Sequence, residues 1–186
     1  NRSSGKMGYA LAKVARDFGA QVDLVSGPVN LTAISQINIH KVETANEMNI
    51  NIQNLLKIKK YDYIFMAAAV ADYYKEDIPS KKIKKDGKKL DLHLVKSPDI
   101  LKNISSQSNA KIIGFALETD DGENQALLKL KNKNLDYIVL NYANEEGAGF
   151  ESNTNHVYLY SKNGEKKEFS LDRKDRIAKL IIKNII

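Results

Sequence analysis

The sequence predicts an α/β fold: a mainly parallel sheet flanked by helices, with a projecting β-hairpin flap and a closing hairpin plus helix. Three observations predict it. Strand-like and helix-like blocks alternate along most of the 186 residues, the order that builds parallel sheets with helices on both sides. The run 61–68 is almost entirely apolar, as a strand covered on both faces must be. Two hairpin signals, Asp86-Gly87 and Asn163-Gly164, interrupt the rhythm. Together they describe a Rossmann-like single domain over 1–186, a length that suits one domain.

In chain order, 8–18 carries Ala10, Leu11, Val14 and Phe18 at helical spacing, with Gly19 as its stop. Residues 21–26 alternate like a strand and end at Gly27-Pro28, and a short strand follows at 37–42. Thr44 opens a helix through about 58, with Glu47 three residues on as a capping box. A helix over 98–105 starting at Pro98, a strand over 111–116, a helix over 121–133 and a strand over 137–141 complete the alternation. The segment 81–96 reads as a hairpin, with a lysine-rich leg, a turn and a strictly alternating leg over 90–95. Strands at 156–160 and 168–171 make the second hairpin, and a final helix from 172 presents Ile177, Leu180, Ile181 and Ile185 on one face.

Composition excludes several classes. Hydrophobic residues make up 42 % of the chain, enough to bury a core, and no apolar run approaches the ~18–20 residues that span a bilayer. Zero cysteines exclude a disulfide scaffold, a thiolate metal site and a Cys nucleophile, and with no signal-peptide pattern a cytoplasmic setting is expected. His40, His93 and His156 are scattered, so no metal cluster is expected. The first residue is Asn rather than Met, so the sequence is expected to be a fragment or a processed product. The net charge of +6 is concentrated in Lys75, Lys81, Lys82, Lys84, Lys85, Lys88 and Lys89, without interleaved aromatics. A lysine arm of that kind suits a small polyanion at least as well as a duplex.

Ligands of open parallel sheets sit at the carboxyl ends of the strands, and several stretches there carry chemistry. Ser3, Ser4 and Gly5 lead into the first helix, where bare amides and the helix start favour an anion. That stretch is neither a Walker loop nor a GxGxxG fingerprint. Met66, Ala67 and Ala68 end the apolar strand with small residues beside Asp72, which is placed to accept from sugar hydroxyls. Lys82 sits on the arm, Phe115 near the end of another strand, and Lys129 and Lys133 share a helical face. Each has a plain structural alternative: a solvated acid, a solubilising charge run, a core phenylalanine. There is no nucleophile elbow and no ordered Ser/His/Asp set. Catalysis by pre-placed lysines and amides, with Mg²⁺, therefore points to phosphoryl or nucleotidyl chemistry.

Taken in order, these segments resemble the bacterial phosphopantothenate–cysteine ligase family, the synthetase half of a coenzyme A biosynthetic protein often fused behind a flavin-dependent decarboxylase. The resemblance rests on Asn1-Arg-Ser-Ser-Gly-Lys-Met-Gly8, Leu24-Val-Ser-Gly-Pro-Val29, Thr44-Ala45 with Glu47-Met48, Ala68-Ala-Val-Ala-Asp72-Tyr73, Lys82-Ile-Lys-Lys85, Pro98-Asp99-Ile100, Gly114-Phe115-Ala116, Glu118-Thr119 and Lys133-Asn-Leu-Asp136. It implies that CTP activates 4′-phosphopantothenate as an acyl cytidylate, which cysteine then converts to phosphopantothenoylcysteine. It further implies catalytic roles for Asn1 and Lys82. Nucleotide contacts would come from Asp72 with Met66, Ala67 and Ala68, from Pro98, Asp99, Ile100 and Leu101, and from Phe115, Lys129 and Lys133. A homodimer is expected, with 90–95 as a pairing edge.

Three departures from the family pattern stand out. Ser97 replaces the usual Asn, the segment 140–144 differs, and the family's first strand and glycine-rich loop would precede Asn1, so the sheet is expected to lack a central strand. Alternation alone also allows a nicotinamide oxidoreductase, and the lysine arm alone allows an RNA-binding module.

Overall fold

The computed structural model describes residues 3–75, 91–148 and 152–186. In chain order the elements are α1 (Lys6–Asp17), β1 (Asp23–Ser26), β2 (Asn38–Lys41), α2 (Ala45–Ile58), β3 (Tyr63–Met66), β4 (Tyr73–Tyr74), β5 (Val95–Lys96) and α3 (Ile100–Ser105). Then come β6 (Lys111–Glu118), α4 (Gly122–Asn132), β7 (Tyr137–Tyr142), β8 (Thr154–Ser161), β9 (Lys166–Arg173) and α5 (Lys174–Ile185).

The main sheet has the order β3-β6-β7-β8-β9. β3, β6 and β7 run parallel, with Ile64 opposite Ile112 and Phe115 opposite Val139, and the hairpin β8–β9 extends the sheet antiparallel. Period-2 alternation divides its side chains between two helical layers. Ile64, Met66, Ile112, Ile138, Leu140 and Tyr160 face α2, α3 and α4. Phe65, Ile113, Phe115, Val139, Val157 and Leu159 face α1 and α5. Gly114 lies in the first set because nothing larger fits: an added methyl would sit 2.6 Å from Leu135 Cδ1.

β1 and β2 form a separate parallel pair, and among the described residues no strand joins it to β3. An open groove of about 2280 Å³ lies between them, lined by α1, β1, α2, β3 and the segment 67–71. Asp23 anchors the far end of β1. Burial alone would raise its carboxyl pKa, but hydrogen bonds from Lys59, His40, Tyr61 and Asn38 hold it well below the ordinary range. The same contact and burial push the Tyr61 phenol up to about 12.

Several boundaries differ from the sequence expectation. α1 begins at Lys6, two residues early, because Gly5 takes a left-handed turn (φ 72°) into it. A methyl there would meet Val29 Cγ1 at 2.7 Å, so glycine is needed for both reasons. The capping box on α2 is half formed. Thr44 Oγ1 accepts from the Glu47 N–H, but the Glu47 carboxylate reaches the Glu43 N–H instead of that of Thr44.

α3 starts at Ile100 rather than Pro98, because the Asp99 carboxylate caps the Lys102 N–H at 3.1 Å and makes Asp99 the N-cap. Of the described part of the alternating segment, 91–95, only Val95 is a strand residue; with Lys96 it pairs antiparallel with Tyr73–Tyr74. Leu92 and Leu94 stand exposed, with no layer over them among the described residues. The lysine leg and its Asp86-Gly87 turn lie outside the described residues. On α5, Leu180 is 38 % exposed, while Ile177, Ala178, Ile181, Ile182 and Ile185 are buried.

Candidate functional site

The parallel strands β3 and β6 end beside the starts of α3 and α4, and polar groups gather there. Lys129, on α4, reaches back to the sheet and donates from Nζ to the Phe115 carbonyl at 2.7 Å. Burial lowers its pKa below that of an ordinary lysine and the charge of Lys133 adds to this, while Glu118, Asp72 and Asp99 oppose it. One turn further on, Lys133 pairs with the Asp99 carboxylate. Burial would raise the Asp99 pKa, but hydrogen bonds from Lys133 and from the Lys102 N–H bring it below the ordinary value. Both Asp99 oxygens are thus engaged, one on a lysine and one on a helix start.

Asp72 is exposed at the end of the 67–72 segment, and its carbonyl accepts from the Ser97 N–H at 2.8 Å. That bond ties the end of the β3 segment to the approach to α3. The Ser97 hydroxyl itself is buried and has no partner among the described residues.

The candidate residues therefore fall into two neighbouring sets joined at Ser97. Asp72, Asp99, Phe115, Lys129 and Lys133 surround the ends of β3 and β6. Ser3, Ser4, Gly5, Met66, Ala67, Ala68 and Ser97 line the groove. Ser3 Oγ accepts from the Gly5 N–H at 3.4 Å, and Gly5, the N-cap of α1, has no side chain with which to cap the helix.

Three placements are not legible in the letters. The Phe115 ring packs on the α1–α5 side of the sheet, so what it presents to Lys129 is its carbonyl. Ile100 is 4 % exposed and Leu101 packs against the same core, so these two offer a ligand main chain rather than side chains. Pro98, as the residue before the N-cap, fixes the chain's entry into α3. Asn1 and Lys82 lie outside the described residues.

Glu118 is the residue that sequence reasoning passed over. Its carboxylate is the leading opposing charge on Lys129, and its signal was an acid at a strand's carboxyl end opposite a helical lysine. Among the described residues no group of three or more His, Cys, Asp or Glu side chains could hold a metal ion. No helix of the described residues is long and apolar enough to cross a membrane.

Comparison with known proteins follows the same outline. The chain is 40 % identical over 189 aligned residues to the coenzyme A biosynthesis bifunctional protein CoaBC of Vibrio vulnificus strain YJ016, covering all of this chain and 46 % of that protein. It is 37 % identical over 187 aligned residues to CoaBC of Bacillus subtilis strain 168, again covering all of this chain and 46 % of the relative. The chain thus spans about half the length of these relatives. The crystal structure of the C-terminal domain of a CoaBC protein superposes with a TM-score of 0.82 at 35 % identity, over all of this chain and 83 % of that one. The family model for the DNA/pantothenate metabolism flavoprotein C-terminal domain matches residues 1–186, and the chain belongs to that family.

Proposed function

We propose that this chain is a CTP-dependent phosphopantothenate–cysteine ligase of coenzyme A biosynthesis. The observation that carries the reading is the convergence of Asp72, Asp99, Lys129, Lys133 and the Phe115 carbonyl at the ends of β3 and β6, in a chain whose relatives are named for coenzyme A biosynthesis. In the first step, a carboxylate oxygen of 4′-phosphopantothenate attacks the α-phosphorus of CTP, forming an acyl cytidylate and releasing pyrophosphate. In the second, the cysteine amine attacks the acyl carbon, loses a proton and expels CMP.

The chemistry explains the residue types. A carboxylate is a poor electrophile, and a mixed anhydride supplies the leaving group it lacks. The barrier lies in bringing anions together and stabilising the charge that departs, which calls for cations and amides placed beforehand. On this reading Asp72 accepts from the ribose, and Lys129 and Lys133 line the nucleotide's path. The main chain of Pro98, Asp99, Ile100 and Leu101 borders the base, Ser3, Ser4 and Gly5 offer amides to phosphate oxygens, and Met66, Ala67 and Ala68 leave room for the ligand. Lys82 supports formation or conversion of the acyl cytidylate, and Asn1 contacts it and supports the cysteine step.

Mg²⁺ fits as a companion of the triphosphate. The acids beside the lysines do not form a three-ligand cage among the described residues, and Mg²⁺ commonly keeps its waters and binds through substrate phosphates. Bound there, it would neutralise phosphate charge. We further infer a cytoplasmic homodimer, with exposed Tyr73, Leu92 and Leu94 at the contact, and fusion to a decarboxylase as in the bifunctional relatives. The test is pyrophosphate release by the purified protein given CTP, 4′-phosphopantothenate and cysteine. Release dependent on both CTP and phosphopantothenate is expected; turnover with NADPH and none with CTP would refute the reading.

A further inference from the structure

Residues 140–144, where the sequence departs from the family pattern, lead from β7 into a turn over 143–148. This turn abuts the end of β6: the Ala143 N–H donates to the Glu118 carbonyl at 2.8 Å, and Asn144 Nδ2 donates to the Thr119 carbonyl at 3.2 Å. From the other side, the Gly147 carbonyl accepts from the hydroxyls of Ser152 and Thr154. The remaining tie is made by ionisable groups. Glu145 Oε1 lies 2.6 Å from Nδ1 of His156 on β8, and the opposite ring nitrogen, Nε2, lies 2.9 Å from Glu168 Oε1 on β9. One imidazole thus joins the turn to both strands of the β8–β9 hairpin.

That geometry selects a protonation state. An ionised carboxylate can only accept, and a neutral imidazole has one N–H and one bare lone pair. With an ionised carboxylate at each nitrogen, both contacts need an N–H, which only imidazolium provides. Without the second proton, one nitrogen would meet its carboxylate lone pair to lone pair, and that arm must open. Glu168 is the arm that opens, because its side chain is 55 % exposed and can turn into water, against 33 % for Glu145. The Glu145 arm keeps its hydrogen bond but loses the attraction between opposite charges. Among the described residues, the other ionisable groups around the ring are Tyr158 on β8, Tyr142 on β7, Lys166 on β9 over Tyr158, and Glu123 on α4, paired with Lys166. Burial and the two glutamates raise the Tyr158 pKa, and Glu123 raises that of Lys166. Neither therefore changes charge where a histidine does.

We propose that His156 is a proton-operated clasp: as imidazolium it fastens the turn 143–148 to the β8–β9 hairpin, and loss of its proton to water loosens that turn at the end of β6. The clasp stands apart from the nucleotide reading and holds whatever the site binds. Its direction follows from the two glutamates, which raise the folded-state pKa against the effect of burial. It is closed below the ordinary histidine value of about 6.5 and opens as pH rises through the folded value.

The experiment measures amide hydrogen exchange in the unmodified protein, His156→Gln and Glu168→Gln from about pH 5.5 to about pH 9, the range in which a histidine titrates. Rates are corrected for the intrinsic pH dependence of exchange, and the His156 ring is followed by NMR. Loss of one attraction between partly exposed charges corresponds to about two- to fivefold in an opening equilibrium. Protection of 143–148 should therefore fall by about two- to fivefold as pH rises. Its midpoint should coincide with the titration of the ring, above the ordinary histidine value. The last turn of α2, which packs against β1, should keep its protection. In Glu168→Gln the carboxamide can donate to the bare Nε2 of the neutral ring, so the ring should titrate at lower pH and the step should shrink. His156→Gln should show no step. A flat profile in the unmodified protein overturns the proposal. So does a step that persists in His156→Gln, a ring that titrates at or below the ordinary value, or an equal loss in the last turn of α2. Should His156→Gln fail to fold, the unmodified protein and Glu168→Gln decide alone: turn exchange that does not track the ring titration in both refutes the clasp.

Discussion

Asp99 offers the sharpest test of how the charged cluster works, because its two oxygens do different jobs. One caps α3 at the Lys102 N–H and the other holds Lys133. Asn caps a helix as well as Asp does, so Asp99→Asn keeps the first job and removes the charge from the second. The pair is partly solvated, with Asp99 36 % and Lys133 30 % exposed, so it is worth about 1 kcal/mol at most after screening. For a chain of this size that corresponds to a fall of about 2–4 °C in unfolding temperature. Releasing Lys133 from its fixed position should weaken CTP by up to about fivefold. Asp99→Ala should lose about 1 kcal/mol more stability with the cap, without further loss of affinity. Calorimetric CTP titrations of Asp99→Asn, Lys133→Met and the double variant close the cycle. Because Asp99 acts through Lys133, Asp99→Asn should cost nothing further once Lys133 is gone. Losses that simply add would mean the carboxylate touches the nucleotide itself, and the reasoning would be wrong.

Two further outcomes follow from the same charges. Lys129→Met keeps the volume of the side chain but removes the ammonium at the Phe115 carbonyl, and should lower pyrophosphate release with CTP by about 10²-fold. In the unmodified protein, burial makes Lys129 lose its proton at lower pH than an ordinary lysine, so KM for CTP should rise on the alkaline side, and a flat profile would contradict this. Away from the site, His156 sits between Glu145 (2.6 Å) and Glu168 (2.9 Å), near Tyr158, Tyr142 and Lys166. Burial would lower its pKa, but the hydrogen bonds and charges of both glutamates raise it above the ordinary value. A raised folded-state pKa gives stability that is complete below the unfolded value of about 6.5 and is lost as pH rises through the folded value. Unfolding temperatures at several pH values should show this loss in the unmodified protein and not in His156→Gln.

What the letters carried and what they did not divides by range. The apolar run 61–68 predicted a strand covered on both faces and 137–141 a further strand, and the split of Ile64 and Met66 from Phe65, or of Ile138 and Leu140 from Val139, follows the strand's period of two residue by residue. The spacing of Lys129 and Lys133 placed both on one helical face, one turn apart, with Lys133 as the C-cap of α4. Contacts between distant segments were not legible. Pro98 and Asp99 are both good helix-start residues, and only the position of the Lys102 N–H decides for the aspartate. Leu180 reads as part of the apolar stripe of α5, yet at 3.6 residues per turn it lies roughly 130° from the middle of the arc formed by Ile177, Ala178, Ile181, Ile182 and Ile185. In the 90–95 segment, alternation marks one apolar face but cannot supply a layer to cover it. The unpaired Ser97 hydroxyl is invisible in sequence, because burial without a partner is a property of the packed chain.

Charge balance at the site assigns the remaining work. Lys129 feels Lys133 and the carboxylates of Glu118, Asp72 and Asp99, and Asp99 also feels Lys102, so three cations meet three acids and this cluster has no net positive charge with which to attract a triphosphate. It is suited to the neutral, polar end of a nucleotide: carboxylate and hydroxyl for a sugar, a carbonyl and an oriented ammonium for a base. Counter-charge for the phosphates must come from elsewhere. Segment 76–90 holds six lysines against three acids, half of the chain's net +6 within fifteen residues. If that division holds, salt should weaken binding of CTP far more than binding of cytidine, because only the triphosphate meets the lysine-rich segment. Equal salt sensitivity of the two would place phosphate recognition on Lys129 and Lys133 after all, and the sugar-end assignment of this cluster would have to be abandoned.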